Sequence, residues 1–131
     1  MPVGSRVRVV VADNDRDARD LVEIDLGLEG HDVVGAASDG LAAIELCRTL
    51  QPDVLVVDLR MPPGPDGVAV AEQLRGQLGL RVVLYTNYRD RGVAAAAERA
   101  GATYLLKGDL RALRAAVLPP VVPPPRSGVG Q

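Results

Sequence analysis

Aromatic residues are nearly absent from this chain, which has no Trp, no Phe and only three Tyr among 131 residues. Its interior must therefore be built from aliphatic side chains. The hydrophobic content of 47% is enough for such a core in a chain whose length fits one domain. Cys47 is the only cysteine, which excludes an intrachain disulfide and suits a cytoplasmic location.

A basic excess and long apolar runs are also missing. The formal net charge is -2, with an isoelectric point near 5.3, which argues against direct contact with nucleic acid as the main function. No run approaches the ~18 apolar residues of a membrane span, and the N-terminus lacks the apolar core of a signal peptide. We therefore expect a cytoplasmic protein without membrane contact.

Apolar, β-branched runs alternate with segments of helical spacing along most of the chain. This alternation predicts a parallel sheet with helices on both faces. We expect one domain over residues 1–118, followed by a proline-rich flexible tail or linker over residues 119–131. The predicted strands are 6–12, 31–37, 54–57, 80–85 and 103–106, and the predicted helices are 16–29, 41–50, 67–78, 90–100 and 109–118.

Polar residues follow the predicted strands at the point where each strand ends, and the carboxyl ends of parallel strands share one edge of a sheet. Clustered carboxylates repel one another unless a cation intervenes, and oxygen ligands with open water positions favour Mg²⁺. Together with an ammonium and a hydroxyl, such a site suits phosphoryl transfer to a carboxylate. The residues are Asp13, Asn14, Asp58, Thr86 and Lys107.

Four motifs in this order resemble those of the receiver domain of bacterial two-component response regulators. They are VVADND, VVDLRMP, VVLYT and YLLK, and the resemblance extends over Arg6 to Leu118. It implies a flavodoxin-like (βα)5 fold, in which a doubly wound five-stranded parallel sheet has the strand order 2-1-3-4-5.

The resemblance implies a phosphorylation-dependent signalling switch. Asp58 would accept a phosphoryl group from a sensor histidine kinase or a phosphotransfer protein. The implied cofactor is Mg²⁺, held by Asp13, Asn14, Asp58 and the backbone carbonyl of Arg60. The chain would not be an enzyme, since it would catalyse only its own phosphorylation and dephosphorylation.

The resemblance also implies how the signal would leave the site. Lys107 would bind the acceptor carboxylate and then the phosphoryl oxygens. Thr86 would donate a hydrogen bond to the phosphoryl group, and Tyr104 would turn inward as Thr86 moves. The surface formed by the fourth helix, the fifth strand and the fifth helix would bind an unknown output protein or domain, and a homodimer is compatible with this arrangement.

Some residues depart from the family pattern and motivate other functions. Asn14 stands where the family has a second acidic residue, and the loop from Pro62 to Pro65 is one residue longer. These departures favour, as an alternative, an atypical pseudo-receiver that binds partners without phosphorylation. A hydrolase of the aspartyl-phosphate type would need an acid at position 60, which is Arg60 here.

Several of these residues have a purely structural interpretation as well. Asn14 could cap the first helix instead of binding a metal, and Tyr104 could be a half-buried strand residue. His31 is expected in a surface turn. Arg111 and Arg114 are expected on a solvated helix face.

Overall fold

The computed structural model describes residues 6–120, in which five strands and five helices alternate. The strands are β1 (Arg8–Ala12), β2 (Asp32–Ala37), β3 (Val54–Val57), β4 (Arg81–Thr86) and β5 (Ala102–Leu106). The helices are α1 (Arg16–Leu28), α2 (Gly40–Leu50), α3 (Gly67–Leu74), α4 (Arg91–Arg99) and α5 (Leu110–Val117). None of the described helices is both long enough and apolar enough to cross a bilayer.

All neighbouring strands pair in parallel, and the sheet has the order β2-β1-β3-β4-β5. The chain steps outward from β1 to β2, returns to β3 on the other side of β1, and continues to β4 and β5. This arrangement confirms the predicted flavodoxin-like fold and its strand order. It also makes β1 and β3 neighbours, with Ala12 opposite Val57 at their carboxyl ends.

Both faces of the sheet are buried, as the continuous apolar runs predicted. Alternate residues of one strand enter different clusters: Val10 and Ala12 belong to a core with α2, α3 and α4, whereas Val9 and Val11 belong to one with α1 and α5. Among the described residues, Tyr85 is the one buried aromatic side chain. Cys47 lies in the first core and is fully buried.

Every helix begins at an aspartate whose side chain accepts a hydrogen bond from a backbone N–H of the first turn. A carboxylate is well suited to this position because the first N–H groups of a helix have no partner within the helix. The caps fix where each helix starts relative to the preceding strand. They are Asp15, Asp39, Asp66, Asp90 and Asp109.

The structure corrects two predicted elements near their ends. Helix α3 ends at Leu74 and not at Leu78, because the chain turns at Gly76, whose φ of 96° is readily adopted by glycine. Strand β1 begins at Arg8 and not at Arg6. Of the predicted flexible tail, residues 121–131 lie outside the described part of the chain.

Two side chains expected at the surface contact residues that are distant in sequence. His31 is largely buried, and its Nδ1 accepts a hydrogen bond from the backbone N–H of Val7 at 3.1 Å. Arg114 contacts the buried carboxylate of Asp25 on α1, with Nε 3.1 Å from each carboxylate oxygen and Nη2 also bonded to Oδ1. The prediction for His31 was wrong because its partner is distant in sequence, whereas the Arg114 side chain remains 43% exposed and contacts Asp25 from a solvated helix face.

Candidate functional site

The polar residues that follow the strands lie together at the carboxyl edge of the sheet. Backbone hydrogen bonds continue the pairing by one residue beyond the strand ends. Asp58 N–H donates to Ala12 O at 3.0 Å, and Lys107 N–H donates to Thr86 O at 2.9 Å. Asp13 is held in the same way by a bond from its N–H to Ala37 O. The sheet backbone therefore sets the positions of these side chains.

Lys107 joins two of the carboxylates. Its Nζ lies 2.6 Å from Asp13 Oδ2 and 3.0 Å from Asp58 Oδ2. The other oxygen of each carboxylate accepts a backbone N–H: Asp13 Oδ1 from Asp15 at 2.9 Å and Asp58 Oδ1 from Leu59 at 2.7 Å. Each carboxylate oxygen thus has one donor and retains a lone pair for a further contact.

The environment of Lys107 keeps it charged. Burial has the largest single influence and lowers the pKa of the ammonium, but the hydrogen bonds and charges of Asp13 and Asp58 together outweigh it. The pKa of Lys107 is therefore raised above its ordinary value. An ammonium that stays protonated at neutral pH can neutralise both carboxylates and, equally, an incoming anion.

The donors at this edge suit a hard cation. Two carboxylates converge on one ammonium, and the amide of Asn14, the residue after Asp13, is exposed. These donors fit a Mg²⁺ ion that keeps several waters. Within residues 6–120 there is no group of three or more His, Cys, Asp or Glu side chains that could hold a metal.

Asn14 does not cap the first helix. The cap is Asp15, whose side chain accepts a hydrogen bond from Asp17 N–H at 3.0 Å. The capping interpretation of Asn14 was therefore wrong, and its side chain is exposed beside the carboxylates. The metal role of Asn14 stays a prediction.

Thr86 and Tyr104 are connected through Tyr88, a residue that the sequence reasoning did not single out. The buried Thr86 Oγ1 accepts a hydrogen bond from Tyr88 N–H at 3.2 Å, and Tyr104 Oη donates to Tyr88 O at 2.6 Å. The Arg60 guanidinium lies 4.7 Å from the centre of the Tyr88 ring, within range of a cation–π contact. Tyr88 lies two residues after Thr86, a spacing that only weakly indicates their contact. The contacts of Tyr88 with Tyr104 and Arg60 join residues that are far apart in sequence.

Two glycines hold the long loop between β3 and α3. Gly67 N–H donates to Leu59 O at 2.8 Å. A Cβ at Gly67 would meet the Asp58 carbonyl oxygen and would lie 2.5 Å from Leu84 Cδ1. A Cβ at Gly40 would meet the carbonyl oxygen of Pro65 and lie 2.9 Å from its Cγ. Nothing in the sequence indicated these contacts, which fix the loop that follows Asp58.

Comparisons with known proteins agree with this fold. Residues 9–118 match the family model of the response regulator receiver domain. "Probable transcriptional regulatory protein NarL" of Mycobacterium tuberculosis is 41% identical over 113 residues, which are 84% of this chain and 52% of that protein. "Protein-glutamate methylesterase/protein-glutamine glutaminase 5" of Myxococcus xanthus is 40% identical over 109 residues, 81% of this chain and 31% of that protein.

A solved structure gives the same result. The signal receiver domain of NarL from Mycobacterium tuberculosis superposes with a TM-score of 0.78 and 38% identity, covering 86% of this chain and 97% of that one. The chain spans about half or less of the length of the curated relatives it matches.

Proposed function

The chain belongs to the family of response regulator receiver domains, and from this premise we propose that it is a phosphorylation-dependent switch whose acceptor is Asp58. The observation that carries the proposal is the position of Lys107, which contacts both Asp13 and Asp58 at the ends of neighbouring strands. A carboxylate next to an ammonium and a second carboxylate is arranged for phosphoryl transfer.

The proposed reaction takes a phosphoryl group from a phosphohistidine of a sensor kinase or phosphotransfer protein. A lone pair of the Asp58 carboxylate attacks phosphorus, the new P–O bond forms, and the P–N bond breaks with its electron pair returning to the imidazole. The Leu59 N–H orients Asp58 Oδ1, and the Lys107 ammonium is placed to follow the negative charge onto the phosphoryl oxygens.

We propose Mg²⁺ as the cofactor, held by Asp13, Asn14, Asp58 and the Arg60 backbone carbonyl. When bound, it would neutralise charge on the transferring phosphoryl group. Asp13 is prepared for this role, because its Oδ1 is oriented by the Asp15 N–H and its side chain is buried beside Lys107.

The proposed switch uses the contacts around Tyr88. Thr86 Oγ1 accepts a hydrogen bond from Tyr88 N–H and keeps its own proton free to donate to a phosphoryl oxygen. A movement of Thr86 toward Asp58 would carry Tyr88 along and strain the bond that Tyr88 O accepts from Tyr104. Rotation of Tyr104 would then change the α4–β5–α5 surface, where we propose that an output protein or domain binds.

The remaining assignments follow from this role. The chain would work in the cytoplasm and would turn over no separate substrate, so we propose that it is not an enzyme. The match covers about half of each of two transcriptional regulators, which is consistent with an output function carried by other residues or by another protein.

A second candidate function is an interaction module that works without phosphorylation. The observation that favours it is the exposed amide of Asn14 in place of a third carboxylate, which lowers the charge available to a divalent cation. In this case Lys107 would be a permanent counter-ion for Asp13 and Asp58.

Labelling with a small phosphodonor separates the two functions. We expect wild-type protein incubated with Mg²⁺ and acetyl phosphate to gain the mass of one phosphoryl group, measured on the intact protein. Asp58→Asn should gain none. Asp53→Asn is the matched control, because Asp53 precedes the same strand at its opposite end, and it should be labelled like wild type.

The outcomes decide between the candidates. An unlabelled wild type, under conditions that label an established receiver domain, would exclude the phosphorylation switch and favour the interaction module. Labelling of Asp58→Asn would show that another residue is the acceptor.

A further inference from the structure

Tyr85 places a hydroxyl group in an otherwise aliphatic core. Its side chain is 5% exposed and belongs to the cluster between the sheet and the helices α1 and α5. A buried phenol oxygen needs a hydrogen-bond partner, because its removal from water otherwise costs free energy. The partner is the backbone N–H of Gly108, which donates to Tyr85 Oη at 3.0 Å. The hydroxyl is therefore directed out of the core, towards the chain that follows β5.

Gly108 lies in the tight turn that connects β5 to α5. Asp109 N–H donates to Leu106 O at 3.3 Å, which closes a four-residue β-turn. Of the two central residues, Lys107 and Gly108, the glycine alone has a positive φ, of 97°. A positive φ at the third residue only is the mark of a type II turn, and glycine adopts it without strain.

The bond to Tyr85 acts on the central peptide of this turn, which joins Lys107 to Gly108. In a type I turn the same peptide is rotated, and ψ of the second residue is about −30° instead of about 120°. Such a rotation would turn the Gly108 N–H away from Tyr85 Oη. The bond thus fixes the backbone of Lys107, and the backbone of a residue restricts the rotamers of its side chain.

Strand β4 holds Lys107 from both sides of that residue. The Lys107 N–H donates to Thr86 O at 2.9 Å, and the peptide after Lys107 is bonded to Tyr85 Oη. Between these two bonds the Lys107 side chain, which is 16% exposed, reaches the carboxylates of Asp13 and Asp58. Two consecutive residues of one strand therefore set where the ammonium can lie.

We propose that Tyr85 is a positioning residue for Lys107. Its hydroxyl holds the peptide between Lys107 and Gly108 in the type II orientation, and this orientation directs the ammonium at the two carboxylates of the site. The inference rests on the proposed phosphoryl transfer to Asp58, to which it adds a group that acts through another residue. A misplacement of about 1 Å can lower a reaction rate by about a hundredfold, so a loosened Lys107 should be visible in the labelling rate.

The hydrogen bond itself is tested by amide hydrogen exchange, measured by NMR. Tyr85→Phe removes the oxygen and keeps the ring, so the Gly108 amide should exchange about fivefold or more faster than in wild type. The Lys107 amide, bonded to Thr86 O, should be equally protected in both proteins and is the internal control. This measurement does not depend on phosphorylation. Equal exchange of the Gly108 amide in the two proteins would overturn the proposal.

The role in the reaction is tested by labelling with acetyl phosphate and Mg²⁺. Tyr85→Phe should be labelled about tenfold more slowly than wild type. Val83→Ala is the matched control, because Val83 lies two residues earlier on β4 and is buried in the same core. It loses packing away from the turn and should be labelled at the wild-type rate. A Tyr85→Phe variant labelled as fast as wild type would overturn this role alone, whereas an unlabelled wild type would overturn the proposed function as well.

Combination with Lys107→Met shows whether Tyr85 acts through the lysine. Tyr85→Phe should slow the labelling of wild type but should not further slow that of Lys107→Met, because the group that it positions is already absent. A merely structural effect of the lost hydroxyl would instead lower both rates by the same factor. That result would overturn the proposal.

Discussion

The two edges of the sheet use cationic side chains in different ways. At the carboxyl edge, one ammonium, Lys107, contacts two carboxylates. At the amino edge, two guanidinium groups contact backbone carbonyls at the ends of helices. Arg81 donates to three carbonyls at the end of α5 at 2.7–3.0 Å, and Arg8 donates to the carbonyls of Leu50 and Gln51 at 2.9 Å.

This difference distinguishes charged groups that stabilise the fold from charged groups that remain available for binding. Carbonyls at a helix end are neutral acceptors that lack a partner within the helix, so Arg81 and Arg8 complete the fold and have no role left to perform. Asp13 and Asp58 instead share one cation and keep lone pairs free. The carboxyl edge therefore keeps lone pairs available for a further ligand, whereas the two arginines of the amino edge are bonded to the ends of α2 and α5.

The largest expected effect is at Lys107. Lys107→Met should lower the rate of labelling by acetyl phosphate by about a hundredfold or more, because the charge that develops on the phosphoryl oxygens loses its counter-ion. The intact mass measured over time gives the rate, and circular dichroism checks that the variant is folded. Labelling at the wild-type rate would remove Lys107 from the reaction.

The next effect concerns the close packing under Asp58. Gly67→Ala should lower the free energy of unfolding by about 2–4 kcal/mol, since its methyl group meets the Asp58 carbonyl and Leu84. Urea unfolding measures the change. The control is Gly27→Ala on α1, where nothing lies within 4 Å, and which should gain about 0.5–1 kcal/mol. Equal stability of the two variants would contradict the contact.

A smaller effect is expected at the amino edge. Arg81→Met should cost about 1–3 kcal/mol of stability, because three carbonyls of α5 lose their donor. Burial lowers the pKa of Arg81, and the charge of Asp53 opposes this effect. Burial therefore disfavours the charged guanidinium, and the hydrogen bonds to the carbonyls of α5 offset that cost. Arg81→Met should be labelled at Asp58 at the wild-type rate. A fall in the labelling rate comparable to that of Lys107→Met would contradict the difference between the two edges.

The smallest effect is a dependence on alkaline pH. Burial raises the pKa of Cys47 to about 12, whereas a thiol in the unfolded chain titrates at about 8.5. Between these values the unfolded state binds fewer protons, so stability falls as pH rises, by at most about 1.4 kcal/mol per pH unit. Cys47→Ala should flatten this dependence, measured as the shift of the urea midpoint from about pH 8 to about pH 10.

Lys107 acts in the same direction but at higher pH. Burial lowers its pKa, and the stronger combined influence of Asp13 and Asp58 raises it overall. Its contribution is complete below the unfolded value of about 10.4 and is lost as pH rises through the higher folded value. A Cys47→Ala variant that retains the full dependence at about pH 9, below the lysine range, would contradict the assignment to the thiol.

Most of the fold and part of the site could be predicted from local patterns. Continuous aliphatic runs such as Val54–Val57 predict strands buried on both faces, and Asp39, Asp66 and Asp109 mark helix starts. The helix-ending turn at Gly76 was missed because glycine is also tolerated inside helices. Tyr88 was missed because its contacts with Tyr104 and Arg60 join segments that are far apart in sequence.

The sequence by itself determined the elements, their order and the chemical types at the strand ends, because backbone propensity and apolar periodicity act over a few neighbouring residues. Only the tertiary structure decided which partner each charged group has. It placed Lys107 between Asp13 and Asp58, Arg81 on the end of α5, and Arg114 on the buried carboxylate of Asp25. Such contacts depend on the sheet order and on the packing of helices against it, which bring distant residues within hydrogen-bond reach.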